Sequence, residues 1–351
     1  MRVKVLKLSF SLTELFSLCI QYAIIVLYEF FTEVNMLNIS AETVNKALDF
    51  PKLIDRLAVN FAADITVPPR LHFDMENPKA SRETTLLMMP AWQAGDVAGI
   101  KLVTVAPDNA DKGLPSILGT YLLLDVDTGV MKAMMDAPSL TAKRTAAASA
   151  LASRLLSREN SETLLMIGTG TLSPQLIQAH ASVRPIKKVF VWGRSVAKAE
   201  AVIEQVSHLD IQFTAVDDIE SVIGQADIVS CATLSQDPLV FGEWLKPGQH
   251  IDMVGAYRPD MREMDDACLV GNKLFVDNFE GALRETGDIA IPLKEGVISR
   301  ENVLADLFAL CRKEYTFDRA QEDITVFKSV GHALEDLTAA TLVAEFVDQG
   351  N

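Results

Sequence analysis

A short glycine-containing turn in the middle of the chain has the residue types that hold a phosphate group. The apolar segment Thr163–Ile167 runs directly into Gly168-Thr169-Gly170, and a helical pattern begins at Thr171 and Leu172. The first glycine permits a tight turn, the second lets the backbone approach a pyrophosphate, and the helix N-terminus supplies N–H donors. Ser173 takes the place of the usual third glycine. The order of strand, turn and helix still predicts a dinucleotide site, with an ordinary glycine turn as the alternative.

The next predicted strand, Lys188–Trp192, ends in residues that bear on the choice of dinucleotide. NAD enzymes usually carry an acidic residue here, which binds the ribose 2′-hydroxyl. This chain has Arg194 and Ser195 instead, and both side chains suit a 2′-phosphate. Thr233, at the end of the predicted strand Ile228–Thr233, is a further candidate contact to the cofactor. We therefore predict NADPH, with NADH as the alternative and a solvated surface arginine as the other interpretation of Arg194.

Three basic residues upstream of this turn are candidates for binding an anion. Arg70 follows two prolines in a loop, and Lys101 lies in the apolar segment Gly99–Val103. Arg144 lies in Ser139–Thr145, at the predicted start of an alanine-rich helix. An unpaired ammonium in an apolar strand is costly, and an arginine in a first helical turn opposes the helix dipole. A bound anion would explain these positions, although each residue taken singly is more often a surface or salt-bridged side chain.

The elements around the glycine turn predict an α/β fold. From about residue 141 to residue 300, short apolar segments alternate with helical ones. The predicted strands are Thr163–Ile167, Lys188–Trp192, Ile211–Ala215, Ile228–Thr233, His250–Val254 and Lys273–Val276, and the predicted helices are Leu172–Val183, Val196–Ser207 and Ile219–Gly224. Strands at this spacing with crossover helices form a doubly wound parallel sheet of the Rossmann type.

The region before this alternation has a different pattern. Ser40 can cap a helix over Glu42–Phe50, which Pro51 would end. The segments Gly99–Val105 and Gly119–Leu124 read as two strands joined by a loop rich in proline, asparagine, aspartate and glycine. These features predict an antiparallel sheet with helices, that is, an α+β region.

The change of pattern predicts two domains and an N-terminal extension. Residues 36–140, completed by the tail 322–351, are predicted to form one domain, and residues 141–321 are predicted to form the dinucleotide-binding domain. The tail is helical in pattern from about Val326. Residues 1–35 contain basic residues and an apolar run. They fit a signal peptide, a membrane anchor, or an upstream segment that is absent if translation starts at Met36.

Composition narrows the class of protein. The formal net charge of −15 disfavours nucleic acid as the main ligand, because an acidic surface repels phosphate backbones. The four cysteines are widely spaced, with no CxxC pair, and the five histidines show no HExxH spacing, so the sequence predicts no metal site. Reduced thiols favour the cytoplasm. We expect no membrane association for the core of the chain.

Several motifs together resemble the ornithine cyclodeaminase/mu-crystallin family, and the likeness runs from about Leu37 to Asp348. The motifs follow one another along this chain in the same order as in the family. The motifs are Gly99-Ile100-Lys101 through Pro107-Asp108-Asn109, Gly113-Leu114-Pro115, Leu140-Thr141-Ala142-Lys143-Arg144-Thr145, Gly168-Thr169-Gly170, and Ile324-Thr325-Val326-Phe327-Lys328-Ser329-Val330-Gly331.

The resemblance implies that residues 36–140 with 322–351 are a substrate-binding and dimerisation domain, and that the protein is a homodimer with this domain at the interface. It also implies that Arg70, Lys101 and Arg144 surround the carboxylate and the reacting nitrogen of a small substrate, with Lys101 and Arg144 as the catalytic residues. Lys328 and Ser329 are weaker candidates, because they could equally close the junction between the domains. The proton donor stays open among His72, Lys101 and water.

One departure from the family pattern bears on the reaction. Members that deaminate ornithine or alanine resemble one another in a Gly-Gly-Asp or Gly-Ala-Asp segment, whereas this chain has Gly255-Ala256-Tyr257-Arg258-Pro259-Asp260, with Tyr257 in place of that aspartate. This form looks like the imino-acid reductase branch. It implies NADPH-dependent reduction of Δ1-pyrroline-2-carboxylate or Δ1-piperideine-2-carboxylate to proline or pipecolate. Ornithine cyclodeaminase and an alanine dehydrogenase-like activity are the alternatives.

Overall fold

The computed structural model describes residues 36–78 and 82–350 and contains two β-sheets. The segment 1–35, with its predicted extension, lies outside the described residues. One sheet is mainly antiparallel and has six strands. The other is parallel and has eight.

The six-stranded sheet is built from the first third of the described chain. Its elements in chain order are β1 (Leu37–Ile39), α1 (Ala41–Ala47), α2 (Phe50–Ala62), β2 (Leu71–Met75), β3 (Thr84–Trp92), β4 (Val97–Val105), β5 (Ile117–Asp125) and β6 (Met131–Asp136). The strand order is β1-β6-β5-β4-β3-β2. Strand β1 pairs in parallel with β6, whereas the other neighbouring strands pair antiparallel. The predicted hairpin is confirmed, because β4 and β5 pair antiparallel along their whole length.

The rest of the chain builds the parallel sheet and its helices. The elements in chain order are α3 (Ala137–Leu156), β7 (Thr163–Ile167), α4 (Leu172–Val183), β8 (Lys188–Trp192), α5 (Val196–Val206), β9 (Gln212–Val216), α6 (Glu220–Ile223), β10 (Ile228–Cys231), β11 (His250–Met253), β12 (Lys273–Val276), α7 (Phe279–Glu285), α8 (Gly287–Glu295), β13 (Val303–Asp306), α9 (Leu307–Cys311), β14 (Thr325–Lys328) and α10 (Ala333–Asp348). Short 3-10 helices lie at Pro107–Lys112, Gly242–Trp244, Asp266–Cys268 and Arg300–Asn302.

The parallel sheet confirms the predicted doubly wound α/β class. Its strand order is β13-β12-β14-β11-β10-β7-β8-β9. The order reverses direction between β7 and β10, so the loops that follow these two strands diverge and leave a crevice at their carboxyl ends. Gly168, which follows β7, lies at this point.

Two helices join the sheets. Helix α3 starts directly after β6 and packs against α4 of the parallel layer, and its many buried alanines allow close approach of these helices. Helix α10 packs against α3 and α2 and against strands β3 and β4. The last helix of the chain therefore lies against the same strand that carries Lys101.

The structure corrects three details of the predicted elements. Helix α3 begins at Ala137 with Asp136 as its N-cap, so Arg144 lies in the third turn and the argument from the first-turn dipole was wrong. Pro51 lies in the first turn of α2, where proline is well tolerated, rather than at the end of a helix. The tail is not helical throughout, because Thr325–Lys328 is a fully buried strand of the parallel sheet.

Within residues 36–78 and 82–350, no helix is both long and apolar enough to cross a membrane. The domain boundaries remain a prediction. The tail contributes β14 to the parallel sheet, whereas α10 packs on the antiparallel one.

Candidate active site

A cavity of about 530 Å³ lies between the inner face of the antiparallel sheet and the crevice of the parallel sheet. It brings together most of the residues that the sequence singled out. Those that line it are Arg70, Lys101, Arg144, Gly170, Thr171, Leu172, Thr233, Tyr257 and Ser329. Its volume falls in the usual range for a small-molecule site.

Lys101 reaches this cavity because of the alternation along β4. Val97, Gly99 and Lys101 face inward and are buried, and Lys101 is only 3% exposed. Its Nζ lies 2.8 Å from Oδ2 of Asp336 and 3.4 Å from Oγ1 of Thr141. Burial and the neighbouring Arg144 lower the pKa of Lys101 to about 8, and Asp336 limits the shift. The Lys101 ammonium can therefore lose a proton, and its neutral amine can gain one, at a pH of about 8.

Arg144 is held by two carboxylates on helix α10. Its Nε donates to Asp336 over 2.9 Å, and its Nη1 donates to Glu335 over 2.6 Å. Burial alone would lower the pKa of Arg144, but Asp336 and Glu335 raise it above its ordinary value. The guanidinium is thus a fixed positive charge in the cavity wall, suited to a carboxylate ligand.

Sequence reasoning missed Glu335 and Asp336, which position both cations. Both are fully buried. Burial raises the pKa of Glu335 to about 7, whereas Arg144 and Lys101 outweigh burial at Asp336 and lower its pKa. A signal was present, since two adjacent acidic residues interrupt an otherwise apolar helical segment and buried charges need partners.

Arg70 enters the cavity from the loop before β2. Its Nη2 donates to the carbonyl oxygen of Gly331 over 3.2 Å, and its Nη1 lies 3.4 Å from Oε2 of Glu285. Arg70 also lines a smaller neighbouring cavity with Glu285 and Arg284. The structure therefore places a third cation at the rim, with partners that are looser than those of Arg144.

The glycine turn fits a dinucleotide pyrophosphate. Gly168 has φ of +125°, and a Cβ there would lie 2.5 Å from the carbonyl oxygen of Ala232, so only glycine suits this close contact between the loops. A Cβ on Gly170 would meet no described atom within 4 Å, which shows that its backbone faces open space. Thr171, the N-cap of α4, makes no side-chain capping bond. The N–H group of Ser173 already donates to the carbonyl oxygen of Gly170 over 3.1 Å, so the N–H groups of Thr171 and Leu172 are the ones at this end of the helix that can bind an anion.

The predicted contacts of the cofactor divide into two groups. Gly170, Thr171, Leu172 and Thr233 line the cavity, and Gly168-Thr169-Gly170 forms the turn beside it. Arg194 and Ser195 are exposed after β8 and are not among the lining residues. Their position beyond the second strand is where a dinucleotide fold places the ribose of the adenosine half.

The remaining candidate residues differ in whether they line the cavity. Tyr257 is half-buried and lines the cavity, and so does Ser329. Lys328 is fully buried, and its Nζ lies 3.0 Å from Oδ2 of Asp288. His72 is exposed on the edge strand β2 and is not among the residues that line the cavity. Lys101 is thus the better placed of the two side chains that were candidates for the proton donor.

Comparison with known proteins identifies relatives along nearly the whole described chain. A family model described as the ornithine cyclodeaminase/mu-crystallin family matches residues 33–351. A Delta(1)-pyrroline-2-carboxylate reductase from Colwellia psychrerythraea is 36% identical over 310 residues, which cover 88% of this chain and 98% of the relative.

Solved structures of similar proteins also match nearly the whole described chain. The Delta(1)-pyrroline-2-carboxylate reductase of Thermococcus litoralis, in complex with NADH and L-proline, is 33% identical with a TM-score of 0.83, and the match covers 90% of this chain and 98% of that one. An archaeal alanine dehydrogenase dimer with bound NAD is 29% identical with a TM-score of 0.82, covering 90% and 97% respectively. Chains of the same fold thus bind nicotinamide dinucleotides.

Proposed function

The chain belongs to the ornithine cyclodeaminase/mu-crystallin family, and from this premise we propose that it reduces the C=N bond of a small cyclic imino acid. It is an oxidoreductase that uses a nicotinamide dinucleotide. The substrates we propose are Δ1-pyrroline-2-carboxylate and Δ1-piperideine-2-carboxylate, and the products are proline and pipecolate.

One observation carries this proposal. Two buried cations, Lys101 and Arg144, face the same cavity as Gly170 and Thr233 of the dinucleotide crevice. A substrate held by its carboxylate on the cations would have its ring beside the cofactor. The relative that binds NADH and L-proline supports this arrangement.

The residues have separate roles in the proposed reaction. Arg144 and Arg70 bind the carboxylate, which fixes one face of the ring. Lys101 holds a proton near the ring nitrogen, so that the nitrogen is protonated as the C=N bond becomes CH–NH. The bound cofactor supplies the hydride. Asp336 contacts both Lys101 and Arg144, and its negative charge favours the charged form of each.

We propose NADPH as the preferred cofactor. Arg194 and Ser195 follow the second strand of the parallel sheet, where an acidic residue would select NAD. Both side chains are exposed, so a 2′-phosphate can reach them without displacing a packed group.

The cyclodeaminase alternative is less well supported by the same cavity. Tyr257 lines the wall at the position where the resemblance places the aspartate of the deaminases. Asp260, the nearest acidic residue in that segment, is exposed, and its carboxylate is paired with Arg258 at 2.7 Å. This arrangement lacks an aspartate at the deaminase position to act as the base.

We also propose that the chain forms a homodimer through the outer face of the antiparallel sheet. The registers place Leu71, Met88 and Leu102 side by side on this face, together with Phe73 of β2. Leu71 is 47% and Phe73 49% exposed, and an apolar sheet face of this kind usually marks an interface. A dimer could bury this face by symmetric packing.

We propose the cytoplasm as the compartment. Cys231, Cys268 and Cys311 are free thiols. Reduced cysteines are the ordinary state in that compartment. Fractionation of cells expressing the full chain tests this assignment.

The direct test of the activity follows NADPH absorbance with the purified full chain and each of the two cyclic imino acids. Ornithine is offered in parallel, with ammonia release as the readout. We expect rapid NADPH oxidation and no ammonia. Ammonia and proline from ornithine without NADPH use would establish the cyclodeaminase instead.

A further inference from the structure

Glu263 is a buried carboxylate that joins two loops of the active site without lining the cavity itself. It lies in the segment after Tyr257 and is fully buried. The loop after β10 carries Thr233, and the loop after β11 carries Tyr257. Both loops emerge from adjacent strands at the carboxyl edge of the parallel sheet.

The two oxygens of Glu263 serve one loop each. Oε1 accepts hydrogen bonds from the backbone N–H and the hydroxyl of Thr233, at 2.6 and 2.8 Å, and from Sγ of Cys231 at 3.1 Å. Oε2 accepts from the backbone N–H groups of Gly255 and Ala256, at 2.6 and 2.9 Å. Such a carboxylate acts as a fixed spacer, because each loop donates to a different end of it.

The loops have little freedom to move relative to one another. A Cβ on Gly255 would collide with the backbone of Thr233 and would lie 2.6 Å from Oε1 of Glu263. This close approach requires glycine. The distance between the loops is therefore set by direct contact and by the width of one carboxylate.

A buried lysine extends the connection to a third loop. Nζ of Lys328 lies 3.0 Å from Oδ2 of Asp288 and 3.9 Å from Oε2 of Glu263. Oδ1 of Asp288 accepts from the backbone N–H groups of Glu263 and Met264. Lys328 is the last residue of β14, and Ser329, which follows it, lines the cavity.

The buried negative charge of Glu263 explains why the ammonium of Lys328 lies close to it. Burial raises the pKa of Glu263, and Lys328 acts against this effect. A buried carboxylate without a cation would be expensive. Lys328 thus stabilises the charged form of Glu263, which accepts all five hydrogen bonds.

We propose that Glu263 is a positioning residue that sets the distance between the Thr233 loop and the Tyr257 loop. Cofactor affinity and substrate alignment then depend on the same carboxylate, and Lys328 links it to the loop of Ser329. The proposal rests on the proposed function for its turnover readout. Its cofactor-binding readout is independent of turnover.

Glu263→Gln tests this assignment with little change of shape. Glutamine has one oxygen and one NH2 group. The NH2 would face the N–H donors of one loop and could not accept from them, so that loop would lose its hydrogen bonds to residue 263. We expect the Kd for NADH, measured by fluorescence, to rise about tenfold, and kcat with the imino acid to fall about tenfold, since small misplacements of bound groups are costly.

Asp227→Asn is the matched control. Asp227 accepts hydrogen bonds from the backbone N–H groups of Glu162 and Thr163, but it lies at the amino edge of the same sheet. We expect it to lower the melting temperature without changing the Kd for NADH or kcat by more than about twofold. A melting scan of each variant separates lost stability from lost positioning.

Glu263→Asp keeps the proposal testable if Glu263→Gln does not fold. Its carboxylate is one methylene shorter and reaches one loop fully, so we expect values between the wild type and Glu263→Gln. Wild-type Kd and kcat in the folded variants would overturn the proposal. A wild-type chain that binds NADH but reduces neither imino acid would instead overturn the proposed function, and the NADH comparison would still decide the role of Glu263.

Discussion

The cofactor end and the substrate end of the cavity are built in different ways. At the cofactor end, the proposed pyrophosphate site is backbone from one short stretch, Gly168 to Leu172, with open space at Gly170. The substrate end consists of charged side chains from distant parts of the chain, and Lys101 is 235 residues from its partner Asp336. A backbone site tolerates changes of side chain, whereas a cluster of buried charges depends on every member.

This difference predicts that the largest single effect comes from Arg144. Arg144→Ala leaves Glu335 buried without its cation and leaves Asp336 paired with Lys101 alone, so we expect a loss of about 3–5 kcal/mol in the free energy of unfolding. We also expect kcat/KM for the imino acid to fall about 10³-fold. Denaturant unfolding and steady-state kinetics measure the two effects.

Arg158→Ala is the control for this prediction. Arg158 pairs with Asp227 at the amino edge of the parallel sheet, and the pair is partly exposed. We expect it to cost about 1 kcal/mol or less and to leave kcat unchanged. Full turnover in Arg144→Ala would remove Arg144 from the site.

Lys101 is expected to give the next largest effect and a change in pH dependence. Lys101→Met should lower kcat/KM about 10²-fold, the usual contribution of a positioned proton donor. The pKa of Lys101 is lowered to about 8, so the ammonium is present below pH 8 and is lost above it. We therefore expect kcat/KM of the wild type to decline as the pH rises through about 8.

Lys101→Arg separates the charge of Lys101 from its proton transfer. An arginine stays protonated throughout the accessible range, so the decline near pH 8 should disappear from the kcat/KM profile between pH 6 and 10. A decline of unchanged position in Lys101→Arg would assign it to another group.

Substitutions at the cofactor end are expected to have smaller effects than those at Arg144 and Lys101. The two glycines there should differ in what they change, cofactor affinity in one case and stability in the other. Gly170→Ala adds a methyl group where no described atom lies within 4 Å, so we expect an unchanged melting temperature and a Kd for NADPH about tenfold higher, or roughly 1.4 kcal/mol. Gly168→Ala should instead destabilise the fold, because φ is +125° and Ala232 blocks the new Cβ. Equal effects of both variants on stability would contradict this distinction.

Arg194 is expected to give the smallest effect, confined to one cofactor. It is exposed, and exposed charge pairs contribute little, so Arg194→Ala should weaken NADPH about fivefold while NADH affinity stays the same. The ratio of kcat/KM values for the two cofactors measures this. An equal loss for NADH and NADPH would show that Arg194 does not contact the 2′-phosphate.

The cofactor end and the substrate end of the cavity also differ in how much of each could be predicted from the sequence. Strands β7 and β8 and helix α4 have the bounds that the sequence predicted, because apolar runs and the glycine turn are local signals. Strand β14 was predicted as helix. Its run from Thr325 to Lys328 is short and fully buried, and periodicity alone does not separate such a strand from a helix segment.

At the substrate end, the sequence predicted the three cations but not what holds them. Lys101 was predicted to need an anion, and the structure supplies Asp336 from the last helix. Arg144 was placed in a first turn, although Asp136 starts the helix two turns earlier. The adjacent acidic residues Glu335 and Asp336 signal that buried charges need partners, but a local pattern does not say which distant residues supply them. Glu263 was missed because its partners in the loops after β10 and β11 are likewise brought to it by tertiary packing.

The most direct test of this account is a crystal structure of the full chain with NADH and L-proline. We predict the proline carboxylate within hydrogen-bond distance of Arg144 and Arg70, the ring nitrogen facing Nζ of Lys101, and the pyrophosphate on the N–H groups after Gly170. A proline carboxylate bound away from Arg144, or a ring nitrogen remote from Lys101, would contradict the assignment of the substrate end.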